Sequence, residues 1–189
     1  MLSMKPEDNS PAQPMTSRSG KELCQVAAVC FRQASAQVEF LLVRTDGGKW
    51  TFPKGNIKPW IGARKSAQSE ALEEAGAEGS LQNRPFHIYR GSKGVFWKAD
   101  GVQEYCVQAY LLEVKRTRMP AESFREPTWC SPVRAKELLA ERREGKYAQE
   151  LATTVDEALR GISQMANSRR KNSYKNGSQS NLHLPLFMA

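Results

Sequence analysis

Blocks of apolar residues alternate with polar stretches through the middle of this 189-residue chain. The segments CQVAAVCF and VEFLLVR are apolar and β-branched, and the polar stretch RQASAQ between them predicts adjacent strands, with a hairpin as a plausible connection. Gly47 and Gly48 predict a tight turn. Pro53 and Gly55 forbid a regular helix, so we expect KWTFPKG to be extended and to end in a loop. A further long strand is predicted over VQEYCVQAYLLEV.

Helical signals follow that loop and return near the end of the chain. We predict a helix over residues 64–75, closed by Gly76 in the position where helices stop. Ser131 and Pro132 form an N-cap and first-turn signal for a helix over VRAKELLAERRE. Apolar residues four apart predict a last helix over residues 147–160. Strands, a helix, more strands and final helices together predict an α+β layered domain.

The two ends of the chain differ from its middle. Residues 1–21 contain three prolines and no apolar run of the signal-peptide kind, so we predict a disordered N-terminal segment. Residues 163–189 are predicted to be a basic, disordered tail, with LHLPLF as a candidate docking segment. Residues 22–162 then form the folded domain. No stretch approaches the roughly 18 apolar residues of a membrane span, and we expect a cytoplasmic protein.

Charge and cysteine content narrow the function classes only slightly. Of the formal net charge of +8, residues 167–189 carry +4 and residues 1–21 carry +1, which leaves +3 for the rest. Such a mild excess favours a polyanionic ligand without requiring a nucleic-acid groove. The four cysteines form no C-x-x-C pair and lie in predicted strands, so buried free thiols are expected.

Glu70, Glu73 and Glu74 share one edge of the first predicted helix, beside an apolar sector rich in alanine. Like charges three and four residues apart are unfavourable by roughly a few tenths of a kcal/mol, and Glu73 and Glu74 also lie at the negative end of the helix dipole. A helix that is merely acidic and solvated is the alternative. Hard divalent cations such as Mg²⁺ require oxygen ligands, so the cluster predicts a metal site.

Lys54 and Lys49 lie on the loop in front of this helix. Cations on a loop containing glycine and proline are suited to holding phosphates that a metal also bridges. Either lysine taken alone is more often simply a solvated surface charge.

Residues 55–77, GNIKPWIGARKSAQSEALEEAGA, resemble the Nudix box, whose pattern is G-x5-E-x7-R-E-U-x-E-E-x-G-U, with U aliphatic. Ile61 and Ser69 stand where the family has glutamate and arginine, which form an ion pair bracing the loop against the helix. Because both members are absent together, neither charge is stranded, and an apolar contact of Ile61 is the expected replacement. The matching positions are Gly55, Glu70, Ala71, Glu73, Glu74, Gly76 and Ala77.

The resemblance covers roughly residues 21–162 and implies a Nudix-type α/β/α sandwich with a mixed β-sheet and a catalytic loop-helix-loop. It also implies a hydrolase that needs Mg²⁺ or Mn²⁺ and cleaves a pyrophosphate link. The implied metal ligands are Glu70, Glu73, Glu74 and the Gly55 carbonyl, with Glu73 or Glu70 as general base. Lys54 is assigned to the leaving phosphate and, with Lys49 and Arg44, to substrate binding, and Glu122 or Glu126 is a candidate extra acid.

The lead-in WTFPKG and the form EALEEAGAEG are most similar to the Nudix subgroup acting on diphosphoinositol polyphosphates and diadenosine polyphosphates. RNA 5′ pyrophosphohydrolases are a close rival, but they have glutamine where Lys54 stands, and the basic tail favours RNA slightly. Nucleoside-diphosphate sugars such as ADP-ribose remain open. The alternative from another class is a non-catalytic Nudix-like module that binds a nucleotide or RNA.

Overall fold

The computed structural model describes residues 24–34, 37–94 and 101–179. Its strands are β1 (Cys24–Ala34), β2 (Gln37–Arg44), β3 (Trp50–Thr51), β4 (Lys54–Asn56), β5 (Ala77–Leu81), β6 (His87–Gly94), β7 (Val102–Thr117) and β8 (Thr128–Cys130). Its helices are α1 (Gly62–Ala75), α2 (Pro132–Ala140) and α3 (Gly145–Gln179), with a 3₁₀ turn at Ser123–Arg125. The predicted strands and helices are therefore present in the predicted order.

The strands form one mixed sheet in the order β3-β2-β1-β7-β5, in which β1 and β7 run parallel. Three further antiparallel pairings complete it, β4 on β1, β6 on β7 and β8 on β2. Because β4 leads directly into the loop before α1, its pairing with β1 fixes where that loop leaves the sheet.

Helices cover both faces of the sheet. In β1, Val26 and Ala28 belong to the core under α1, whereas Ala27 and Val29 belong to the core under α2 and α3. Alternate residues of a strand point to opposite faces, so a continuous apolar run is what a strand buried on both sides requires. The predicted α/β/α sandwich is confirmed.

Helix α1 begins at Gly62, two residues before the predicted start, and ends at Ala75 as predicted. Gly76 takes the left-handed conformation with φ 60° and donates its N–H to the carbonyl of Leu72. A side chain at this position would collide with the backbone carbonyl of Arg118. Glycine is therefore required at the end of α1 both for its left-handed conformation and for its lack of a side chain.

The two C-terminal helices differ in length from the predictions. The Ser131 side chain caps α2 as predicted, accepting the N–H of Arg134, but the helix ends at Ala140 instead of continuing over ERRE. Helix α3 continues to Gln179, so the predicted disorder is wrong for residues 163–179. Met165 packs against the core and Arg169 pairs with Glu113 on β7. These contacts with the domain stabilise the helix through this polar stretch. Residues 1–21 and 180–189 lie outside the described ranges, and the limits of the domain stay a prediction.

The expectation of free cysteines is wrong for two of the four. Cys24 and Cys106 are register partners on the parallel strands β1 and β7, with Cα atoms 4.8 Å apart, and form a disulfide. Sequence spacing conceals this pairing, because the two residues are 82 positions apart. Cys30 and Cys130 are buried free thiols as predicted, and burial raises the pKa of both. None of the described helices is long and apolar enough to cross a membrane.

Candidate functional site

Glu70 lies against the backbone of Gly55 at the start of the loop that precedes α1. A Cβ atom at residue 55 would stand 2.4 Å from the carboxyl carbon of Glu70 and 2.5 Å from each carboxylate oxygen. Only glycine leaves room for this approach. Burial, and next the negative charge of Glu73, raise the pKa of Glu70 above its ordinary value.

Glu74 is the most buried of the three glutamates, with 4% of its surface exposed. One carboxylate oxygen accepts the backbone N–H of Lys54 at 2.9 Å, and the other lies 2.8 Å from an Nη of Arg125. Desolvation raises the pKa of Glu74 to about 7, although Lys54 and Arg125 both act in the opposite direction. Glu74 thus ties α1 to β4 and to the 3₁₀ turn.

Glu73 is the most exposed of the three, and it interacts with Lys58. The Lys58 ammonium lies 2.9 Å from Glu73 and 3.9 Å from Glu70, and it also donates to the Ser69 hydroxyl at 2.9 Å. Ser69 in turn donates to Glu73, and this hydrogen bond, followed by that of Lys58, lowers the pKa of Glu73. One lysine therefore offsets the charge of two glutamates.

Lys58 and Ser69 take over the bracing role that sequence reasoning had left to Ile61. The backbone N–H of Lys58 donates to the Ser66 hydroxyl at 2.8 Å, which adds a second link between the loop and α1. Ile57 and Ala63, not Ile61, pack against the core on this face. The expectation that an apolar contact of Ile61 replaces the ion pair is therefore wrong. The sequence signal for the observed brace was Lys58, a cation in a loop that lacks the glutamate of the Nudix pattern at residue 61.

The structure separates the two candidate extra acids. Glu122 donates its backbone N–H to the Glu73 carbonyl at 3.1 Å, and its charge helps to raise the pKa of Glu70, so it borders the cluster. Glu126 pairs instead with Arg44 at 2.9 Å. Between them, Arg125 pairs with both Glu122 and Glu74, a role that sequence reasoning missed.

A cavity of about 620 Å³ opens on the α3 side of the sheet, and the three glutamates of α1 do not line it. Lys54 and Lys49 line this cavity, whereas Arg44 does not and instead stacks over the Trp50 ring at 4.3 Å. The lining has many cations and a single acid, Glu144; the cations are Lys49, Lys54, Arg90, Lys93, Arg142 and Arg143, and the tyrosines are Tyr89, Tyr105 and Tyr147.

Lys54 connects the cavity to the glutamates. Its backbone N–H bonds to Glu74, and its ammonium group donates to the Gln25 side chain at 3.2 Å and lies 5.4 Å from the centre of the Tyr105 ring. A ligand in the cavity that reached Lys54 would therefore be one residue away from the carboxylate cluster.

The donor set suits a hard divalent cation, because the Glu70 carboxylate lies against the Gly55 backbone and the charges of Glu73 and Glu122 act on it. Within the part of the chain that the structure describes, however, no three His, Cys, Asp or Glu side chains already form a metal site. Lys58 holds Glu73, and Arg125 holds Glu74, so protein cations balance the charge that a metal ion would otherwise meet.

Comparison with solved structures identifies the fold. No protein-family model matches the chain, and no curated protein sequence matches it. C. elegans Ap4A hydrolase in a binary complex is similar with a TM-score of 0.56 and 16% identity, over 75% of this chain and 98% of that one. A Nudix hydrolase from Nitrosomonas europaea gives 0.53 and 20%, over 75% and 90%.

The Nudix domain of Shewanella oneidensis NrtR, complexed with ADP-ribose, gives a TM-score of 0.51 and 15% identity, over 75% of this chain and 88% of that one. The similar structures thus share one architecture despite low identity. The chain has the Nudix fold, as the resemblance of residues 55–77 implied.

Proposed function

We propose that this protein is a divalent-metal-dependent hydrolase that cleaves a pyrophosphate link in a polyphosphorylated small molecule. The observation that carries the proposal is the close contact of the Glu70 carboxylate with the Gly55 backbone, within a cluster of partly buried glutamates. Lys54 joins this cluster to a cation-rich cavity, because its backbone bonds to Glu74 and its side chain lines the cavity. Desolvated like charges are costly to the fold and are typical of functional sites. The Nudix fold of the similar hydrolases supports the same reaction class.

In this proposal a bound Mg²⁺ or Mn²⁺ would supply positive charge that offsets the phosphates and makes the attacking water more acidic. Glu70, Glu73 and the Gly55 carbonyl would hold the metal, with Glu122 as the extra acid and Glu74 as a further ligand if Arg125 released it. Glu73 or Glu70 accepts the proton of the attacking water. Lys54 binds the leaving phosphate, and Lys49 holds the rest of the phosphate chain.

For the substrate we favour a diadenosine polyphosphate or a diphosphoinositol polyphosphate. The six cations and single acid of the cavity lining suit a ligand with several phosphates. One of the similar structures is an Ap4A hydrolase, which supports the first of these classes. An RNA 5′ end and a nucleoside-diphosphate sugar are the alternatives, and the second of these has only two phosphates.

The proposal is tested by measuring release of phosphate and nucleotide from one member of each substrate class, with Mg²⁺, with Mn²⁺ and with a chelator. Glu73→Gln should abolish turnover. Glu126→Gln is the matched control, because Glu126 is 65% exposed and pairs with Arg44 away from the cluster. Turnover that survives both the chelator and Glu73→Gln would refute the proposal.

A non-catalytic nucleotide-binding module is the second candidate. Lys58 and Arg125 already balance Glu73 and Glu74, which is an arrangement that needs no metal. The NrtR domain in complex with ADP-ribose is a Nudix domain with a bound nucleotide. Tight binding of a panel member in chelator, without turnover under any metal condition, would favour this candidate.

A cytoplasmic location is also part of the proposal, and it rests on the composition of the chain. The Cys24–Cys106 disulfide argues in the opposite direction, because disulfides are rare in reducing compartments. Imaging of the tagged full-length protein, together with thiol labelling of protein from cells, tests the location directly.

A further inference from the structure

Tyr89 on β6 carries a buried hydroxyl group that finds no partner in the protein. The residue is 3% exposed, and its hydroxyl makes no hydrogen bond to any residue that the structure describes. A buried tyrosine hydroxyl usually has a hydrogen-bond partner, and burying one without compensation is unfavourable. Tyr89 also lines the cavity, so a ligand there is the available partner.

The Tyr89 hydroxyl has charged and polar neighbours in both the cavity wall and the carboxylate cluster of α1. Tyr105, Arg143 and Glu74 are all close enough to influence its pKa, and the first two line the cavity whereas the third belongs to the carboxylate cluster. Burial raises the pKa of Tyr89 above its ordinary value. The group therefore stays protonated at neutral pH and can act as a donor.

The neighbouring polar groups are already engaged. Tyr147 donates its hydroxyl to Glu104 at 2.6 Å, and Lys54 donates to Gln25. The two terminal nitrogens of Arg143 donate to the carbonyls of Leu139 and Trp50. Tyr89, which also lines the cavity, thus differs from these three groups, because its hydroxyl has no hydrogen-bond partner among the described residues.

We propose that the Tyr89 hydroxyl binds a phosphate oxygen of the substrate at the junction between the cavity and the carboxylate cluster. This inference rests on the proposed function, since it takes the phosphorylated ligand to lie in the cavity with its reacting end toward Lys54. It assigns Tyr89 a role in binding that neither the sequence pattern nor the Nudix box indicates.

Tyr89→Phe tests the proposal, because it removes one oxygen atom and leaves the ring. The matched control is Tyr110→Phe, since Tyr110 is equally buried, lies on the opposite face of the sheet and donates to Gln108. Binding of diadenosine tetraphosphate and of inorganic tripolyphosphate is measured by calorimetry in chelator, and thermal unfolding is followed in parallel.

We expect Tyr89→Phe to weaken binding of diadenosine tetraphosphate about tenfold or more, as for loss of a hydrogen bond to a charged group. Thermal stability should not fall, because no native hydrogen bond is lost. Tyr110→Phe should bind like the wild type. Weakening of tripolyphosphate binding by the same factor would place the contact on phosphate and not on the nucleoside.

Equal affinity of Tyr89→Phe and wild type would overturn the proposal, as would a loss of stability that reveals a structural partner for the hydroxyl. Failure of wild-type protein to bind either probe would overturn it as well. Turnover is scored separately. Binding that depends on Tyr89 in a protein that hydrolyses nothing would refute the proposed hydrolase and leave the Tyr89 contact standing.

Discussion

Replacing Gly55 by alanine tests whether the position of the Glu70 carboxylate against the Gly55 backbone controls the rate of the proposed reaction. The added Cβ atom would lie 2.4–2.5 Å from three atoms of the Glu70 carboxyl group. Ordinary contacts between such atoms are roughly 3.5 Å, so the carboxylate must withdraw by about 1 Å. The obstructing atoms are the end of a flexible side chain, and the variant should therefore fold.

A displacement of about 1 Å in a catalytic group can lower the rate about 100-fold. We therefore expect kcat/KM of Gly55→Ala to fall by about that factor, while its free energy of unfolding changes by less than about 1 kcal/mol. Steady-state turnover of the best substrate and denaturant unfolding are measured on the same preparation.

Gly145→Ala is the matched control, because nothing lies within 4 Å of the Cβ position at Gly145, the first residue of α3. It should keep full activity and be unchanged or slightly more stable. Wild-type turnover by a stable Gly55→Ala variant would refute the idea that the position of Glu70 controls the reaction. A large loss of stability would show that the backbone, rather than the side chain, gives way.

Two further predictions concern charges. Lys58→Met should lower stability in chelator by about 1 kcal/mol or less and increase the rise in Tm caused by Mg²⁺, because it removes a cation that competes for the same carboxylates; an unchanged Mg²⁺ effect in differential scanning calorimetry would contradict it. Hydrogen bonding to Arg169 lowers the pKa of Glu113 to about 2, so its contribution to stability is present above the ordinary pKa and is lost as pH falls toward 2. Arg169 is exposed, so Glu113→Gln should cost about 1 kcal/mol or less at neutral pH, and the difference from wild type should vanish at low pH in denaturant titrations.

Strong local patterns predicted the fold well. The apolar run of β1 and β2, the cap at Ser131 and the stop at Gly76 are each properties of a few neighbouring residues, and each is confirmed. The disulfide depends on the alignment of β1 with β7, and the length of α3 depends on a partner in β7. The disulfide and the length of α3 both depend on contacts between residues far apart in sequence, and local periodicity carries no information about such contacts.

The candidate site likewise combines features that the local sequence predicts with features that depend on tertiary contacts. The spacing of Glu70, Glu73 and Glu74 placed them on one edge of a helix, but it could not indicate that each would meet a different partner. Glu70 rests on Gly55, Glu73 is held by Lys58, and Glu74 is held by residues far along the chain. The cavity is less predictable still, because its wall combines β6, β7 and α3 with the loop around Lys49.

The changes at Ile61 and Ser69 have a consequence for metal binding. In the Nudix pattern the brace uses a glutamate and an arginine, so that the carboxylates of the helix are left for other partners. Here the brace runs from Lys58 through Ser69 to Glu73, and it occupies one of those carboxylates. At the proposed metal site, bracing of the loop and binding of a metal would therefore compete for Glu73, and the metal affinity would include the cost of releasing Lys58. Metal binding at Glu73 would leave the Lys58 ammonium group with Glu70, 3.9 Å away in this structure, as its remaining carboxylate neighbour.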